Sequence, residues 1–248
     1  MCIAIFKRQG ALIDIDKLKV AKQANPDGWG LLWTENSTLK DARGVGGFDE
    51  FWKVYEPIER ESVVIHFRTA SSGEPSIDKT HPIWVNDDVA FVENGNLFEY
   101  SKYFGTGRWD QDTDIQKFNK EVIQKLPFNF LDIQHIRIPL EAYCIDNLSR
   151  MIFMTSWGDV EIIGEELGEW IDNAWWSNGG LSGYTGYGFS GAYYYREGDI
   201  RHKGGLISVG QFDDRNEWQK CPSCLGYYKD IDRICSGCWT WNDLLKVL

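Results

Sequence analysis

The sequence predicts an α+β fold carrying a small cysteine-rich appendage. Three observations lead there. Stretches with strand character and stretches with helical spacing follow one another without strict alternation, which argues against a doubly wound sheet. The chain has 248 residues, 43% of them hydrophobic, enough to bury one large core and leave a small module over. Four of the six cysteines gather near the C-terminal end in two Cys-x-x-Cys pairs.

The elements can be taken in order. Residues 2–6 are apolar and β-branched and suit a short strand. Ile15, Leu18 and Ala21 stand close to helical spacing within 14–24, and Asn25-Pro26-Asp27-Gly28 ends that helix and turns the chain. Gly30–Trp33 reads as the next strand, and Phe48–Tyr55 as a short helix. Residues 62–67 and 89–92 look like buried strands, separated by a loop rich in Ser, Gly, Pro and charge. Thr113-x-x-Gln116 is a capping box ahead of the stripe Ile115, Phe118, Val122 and Leu126, so a helix is expected over 113–126, closed by Pro127. Strands are expected at 141–146, 150–155 and 159–163. The Gly-, Tyr- and Trp-rich stretch that begins at 174 has no clean period and reads as a linker or an aromatic docking segment. The expected division is therefore a main domain over 1–173, the linker over 174–215 and a terminal module over 216–248.

Charge and targeting signals narrow the function classes. The net charge of −11 argues against a nucleic-acid binder, which needs a basic footprint, and suits an enzyme of small-molecule substrates. No apolar run has the length of a membrane span, and the opening MCIAIFKRQG is too short in its apolar stretch for a signal peptide. A cytoplasmic, reducing setting is the expectation.

Cys2 is the first candidate for chemistry. Removal of Met1 would place its thiol and its α-amine on one residue. Their ordinary pKa values, about 8.5 and about 7.7–8.0, let the amine take the thiol proton near neutral pH. A buried core cysteine is the plain alternative. What lifts Cys2 above it is a series of motifs: Met1-Cys2, Asp27-Gly28-Trp29-Gly30, His66-Phe67-Arg68-Thr69-Ala70-Ser71-Ser72-Gly73, His81-Pro82, Asn94-Gly95 and Asp112-Thr113-Asp114.

In that order and over about residues 2–165, these motifs resemble the class II glutamine amidotransferase domains of the N-terminal-nucleophile hydrolases. The resemblance implies a four-layer αββα sandwich and a glutamine-hydrolysing activity. It implies that Arg68 holds the substrate α-carboxylate, a task suited to the two parallel donors of guanidinium, and that Asp112 pairs with the α-ammonium. Asn94 and Gly95 correspond to the oxyanion hole, one through its side-chain amide and one through its backbone N–H. Ser71 and His81 fall in the segments that line the substrate pocket, His81 shaping its loop rather than acting as base. No catalytic cofactor is implied. Such domains pass ammonia to a synthase, so a separate acceptor subunit is an expected partner. Another γ-glutamyl amide as substrate, and a non-catalytic binding protein that keeps Met1, are the alternatives.

Cys221, Cys224, Cys235 and Cys238 have the spacing of a zinc ribbon, in which four thiolates surround one structural zinc. So small a module depends on its metal to fold. Two redox-active cysteine pairs are the alternative, without a thioredoxin-like context around them. Lys220, Lys229 and Arg233 stand beside Asp230 and Asp232, so protein docking is favoured over nucleic acid as the module's role.

Overall fold

The computed structural model describes residues 2–70, 75–95, 97 and 112–178, and four short strands further along the chain. The chain divides into two units, residues 1–189 and 190–247.

The first unit contains ten strands among its described residues: β1 (Ile3–Lys7), β2 (Gly28–Glu35), β3 (Thr38–Gly44), β4 (Val63–Arg68), β5 (Ile83–Asn86), β6 (Val89–Asn94), β7 (Arg150–Thr155), β8 (Val160–Ile163), β9 (Glu169–Ile171) and β10 (Ala174–Trp176). Its helices are α1 (Ile15–Ala24), α2 (Phe48–Tyr55), α3 (Asp114–Glu121) and α4 (Gln134–Asp146). The strands form two antiparallel sheets, one of six in the order β3-β2-β4-β1-β10-β9 and one of four in the order β5-β6-β7-β8.

Strand periodicity explains the layers. Every residue of β1 is buried, because both faces of its sheet are covered. Successive side chains point to opposite faces, so the strand divides itself between two cores. Ile3 and Ile5 join Leu18, Ala21, Phe51 and Tyr55 beneath α1 and α2. Ala4 and Phe6 instead join Leu32 and Val64 against Ala90, Val92, Ile152 and Met154 of the smaller sheet. Phe51 anchors the outer layer, its ring 4.8 Å from Phe67 and 5.3 Å from Tyr55. On the far side, Phe118 of α3 stacks on Tyr143 of α4 at 5.6 Å, and Phe130 meets Phe153 of β7. The result is two facing sheets with helices outside them. No helix among the described residues is long and apolar enough to cross a membrane.

Two sequence expectations change. Residues 141–146 are not a strand but the end of α4, whose buried residues Ile136, Leu140 and Cys144 recur every fourth position on one face. The segment from 174 does not begin as a linker. Ala174–Trp176 is β10, paired with β1 through Ile5↔Trp176 and Phe6↔Trp175, so the boundary expected after 173 cuts through the larger sheet.

In the second unit, Ile200–His202 pairs with Gly205–Ile207 and Trp218–Lys220 with Tyr227–Lys229, each pair antiparallel. Cys221, Cys224, Cys235 and Cys238 lie outside the described residues, as does Ser71.

Candidate active site

Cys2 immediately precedes β1. Continuing the β1–β4 register past Ile3↔Phe67 sets Cys2 across from Arg68, the last residue of β4. The Cys2 sulfur lies 3.4 Å from the Thr69 backbone nitrogen and 3.5 Å from the Thr69 carbonyl oxygen. The Asp-Gly turn ahead of β2 braces this corner. Asp27 N–H donates to the Arg68 carbonyl at 2.9 Å, its carboxylate accepts from Ala70 N–H at 2.7 Å, and Thr69 Oγ1 donates to Asn25 Oδ1 at 2.9 Å. Here the turn dipeptide has a role its sequence did not state: it fixes the chain that leaves Arg68.

Gly30 shows why that motif carries a second glycine. A Cβ there would stand 1.8 Å from the His81 carbonyl oxygen, so only glycine lets the 80–82 segment cross β2. This crossing sets the His81 ring edge-on to His66, with centroids 4.4 Å apart. Burial, with Arg68 adding, pushes the His81 pKa down to about 3. Burial likewise holds His66 well below its usual range, with His81 and Arg68 adding and the Glu93 backbone opposing. Both imidazoles are neutral at physiological pH.

Arg68 is 7% exposed, and its Nη1 is buried with no hydrogen-bond partner. No carboxylate pairs with it among the described residues. A buried guanidinium nitrogen without an acceptor carries a desolvation cost, which an anion placed beside it would offset.

Asn94 ends β6 with 2% exposure, on the face that looks toward the larger sheet. Its Nδ2 donates to Ser177 Oγ at 2.6 Å. That oxygen also accepts from Ala4 N–H at 2.9 Å, and Ser177 N–H donates to the Ala4 carbonyl at 2.9 Å. Asn178 Nδ2 donates to the Cys2 carbonyl at 2.8 Å. The end of β10 thus ties Asn94 of one sheet to the Cys2 strand of the other. Ser177 and Asn178 escaped the sequence reading. They follow an apolar triplet in a stretch without period, and their partners lie 83 and 176 residues away.

Gly95 follows Asn94, and a Cβ on it would stand 2.5 Å from Ser149 Cα. Asp112 is not linked to Cys2 by any contact among the described residues; its carboxylate pairs with Lys120 at 2.6 Å. Burial pushes the Cys2 thiol above its usual range, Thr69 hydrogen bonding opposes this, Glu93 adds to it and Arg68 opposes it. Among the described residues no group of three or more His, Cys, Asp or Glu side chains is placed to hold a metal ion.

Residues 14–135 match the family model of the class-II glutamine amidotransferases. The match begins after Cys2 and ends before β7. A search of curated proteins finds no match. Among solved structures the chain is similar to the glutamine phosphoribosylpyrophosphate amidotransferase of B. subtilis, complexed with ADP and GMP, at 15% identity and a TM-score of 0.43 over 71% of this chain and 41% of that one. It is similar to a structure described as the allosteric regulatory enzyme of purine biosynthesis, at 17% identity and a TM-score of 0.46 over 71% of this chain and 40% of that one. A third is a glutamine aminotransferase class-II domain protein from Silicibacter pomeroyi, at 12% identity and a TM-score of 0.37 over 71% of this chain and 87% of that one. The match spans about two fifths of the length of the first two.

Proposed function

We propose that the first unit is a class II glutamine amidotransferase domain that hydrolyses the side-chain amide of glutamine, with Cys2 as nucleophile once Met1 is removed. The observation that carries this reading is the convergence at the end of β10. The backbone carbonyl of Cys2 and the side-chain amide of Asn94, an oxyanion-type donor, are bound to neighbouring residues there, Asn178 and Ser177, at the same end of the sheets as the Arg68 guanidinium, whose buried Nη1 has no partner among the described residues.

The chemistry follows from the groups present. The α-amine of Cys2 takes the thiol proton, and the sulfur attacks the amide carbon of glutamine. Charge gathers on the amide oxygen, where the second N–H of Asn94 and the Gly95 N–H receive it; such a donor contributes roughly 2.7–4 kcal/mol to the transition state. The tetrahedral intermediate collapses with cleavage of the C–N bond, the amine returning its proton to the departing ammonia. Water then adds to the γ-glutamyl thioester, the thiol leaves, and glutamate is released. Arg68 grips the α-carboxylate. Asp112 receives the α-ammonium in exchange for Lys120. The neutral His81 takes no part in proton transfer. Arg68 serves equally any γ-glutamyl amide with a free α-carboxylate, and such an amide is the second substrate reading.

The ammonia is released for an acceptor synthase domain or subunit. For the second unit we propose one structural zinc on Cys221, Cys224, Cys235 and Cys238, and docking of that partner as its role.

Intact-mass spectrometry with a glutamine-analogue electrophile, diazo-oxo-norleucine, tests the nucleophile. The expected result is loss of Met1 and one adduct, absent in Cys2→Ala. Retained Met1 with no adduct would favour a non-catalytic binding protein instead.

A further inference from the structure

Glu93 is a buried acid, 6% exposed, with no part in the chemistry above. It precedes Asn94 on β6, so the two side chains leave opposite faces: Asn94 toward the larger sheet and Glu93 beneath the helical layer. Glu93 Oε1 accepts from Ser149 Oγ at 2.7 Å. The same oxygen lies 2.7 Å, and Ser149 Cα 2.5 Å, from where a Cβ on Gly95 would stand. The carboxyl and Ser149 together form the wall behind the Gly95 peptide. No ion pair to Glu93 is found among the described residues. The titratable and charged groups acting on it or affected by it are Asp114 on α3, Cys144 on α4, Arg150 on β7 and Cys2 ahead of β1. Arg150 donates from Nη1 and Nη2 to the carbonyls of Leu148 and Leu167.

We propose that Glu93 is a positioning residue of the oxyanion hole, holding Gly95 against Ser149 while its carboxyl is neutral and disabling the hole when it ionises. The inference rests on the function proposed above. Burial pushes the Glu93 pKa up to about 8; the Ser149 hydrogen bond opposes this, Asp114 adds to it and Arg150 opposes it. Below that pH the wall behind Gly95 is uncharged. Above it, a negative charge stands behind the donors meant to receive a forming oxyanion, and it also disfavours the Cys2 thiolate. Stability carries the same sign. The unfolded carboxyl ionises near its ordinary value while the folded one stays protonated, so stability falls as pH rises from about 4.5 to about 8.

The test is the rate at which diazo-oxo-norleucine labels Cys2 in the full chain from about pH 6 to 10, for wild type, Glu93→Gln and Glu93→Ala, with Tm measured in parallel. In wild type the rate should fall about tenfold per pH unit beyond the transition, as a single ionisation requires. Glu93→Gln should move that alkaline limb by more than about one unit. It should also label faster at neutral pH than Glu93→Ala, which loses the wall. Its Tm should exceed that of wild type at pH 8, the difference closing toward pH 5. A labelled Cys2 whose alkaline limb is unmoved by Glu93→Gln overturns the inference and leaves the proposed function standing. No labelling of wild type at any pH removes the proposed function, and this inference with it. Infrared titration of the wild-type chain needs no variant. The band of a protonated carboxyl should disappear between about pH 7 and 9, and its persistence or absence throughout would overturn the proposal even where the variants fail to fold.

Discussion

Arg68 and Ser177 show how single residues set this site. Burying the Arg68 Nη1 without an acceptor costs on the order of 1–3 kcal/mol, a cost that a bound carboxylate removes. Arg68→Lys keeps the charge and loses the planar pair of donors. It should raise the KM for glutamine about tenfold or more, with a smaller change in kcat, as steady-state ammonia release would report. The Ser177 hydroxyl oxygen accepts from Asn94 Nδ2 and from Ala4 N–H, so it holds the amide against the Cys2 strand. Ser177→Ala should lower kcat about ten- to a hundredfold with little change in KM, less than the loss of a whole oxyanion donor. In an Asn94→Ala background the same change should cost little more. Full additivity in that double-mutant cycle would refute the link. Arg68, Asn94 and Gly95 stand out in the sequence as candidates because each sits in a short ordered motif. Ser177 was not, since a serine after an apolar triplet has no local signature of its partner.

At the scale of elements, α3 is the piece that sequence and structure describe most alike. Thr113 Oγ1 accepts from Gln116 N–H at 3.3 Å, and the Gln116 side chain accepts from Thr113 N–H at 2.8 Å, which is the capping box read from the sequence. The neighbouring Asp114 carboxylate accepts from Leu97 N–H at 3.0 Å, so the helix start also anchors the chain two residues beyond Gly95. Thr113→Ala should cost about 1 kcal/mol in urea unfolding, within a usual range of about 0.5–2. If the anchor matters, it should lower kcat as well. The helix is shorter than its apolar stripe suggested: α-helical turns end at Glu121, and Ile123–Lys125 continue as a tighter 3-10 turn before Pro127. The strand expected at 141–146 failed for a related reason. A run of apolar residues without turn signals fits either element, and only packing against the smaller sheet decided for α4.

The whole molecule joins two units of different physical character. The first has enough apolar surface to fill two cores, one between its sheets and one beneath α1 and α2. The second is small, and its proposed stability depends on metal. Metal analysis of the purified chain should find about one zinc per molecule, and Cys221→Ser or Cys235→Ser should abolish tight binding. Loss of that zinc should leave labelling of Cys2 by the electrophile unchanged, because the chemistry proposed for Cys2 uses residues of the first unit alone.

Taken by itself, the sequence determined what is written in short windows: strand and helix periods, the turn at Asn25–Gly28, the capping box at Thr113, and the order of motifs from Cys2 to Asp112. Those features are local because they depend on side-chain spacing of 2 or 3.6 residues and on turn chemistry. Tertiary structure alone decided that β10 belongs to the larger sheet, that Ser177 holds Asn94, and that Glu93 stands behind Gly95. Ser177 and Asn94 are 83 positions apart, and Ser149 and Glu93 are 56 apart. No periodicity spans such distances: Ser177 meets Asn94 because the two sheets close over a common apolar core, and Ser149 meets Glu93 because β6 and β7 pair side by side in the smaller sheet.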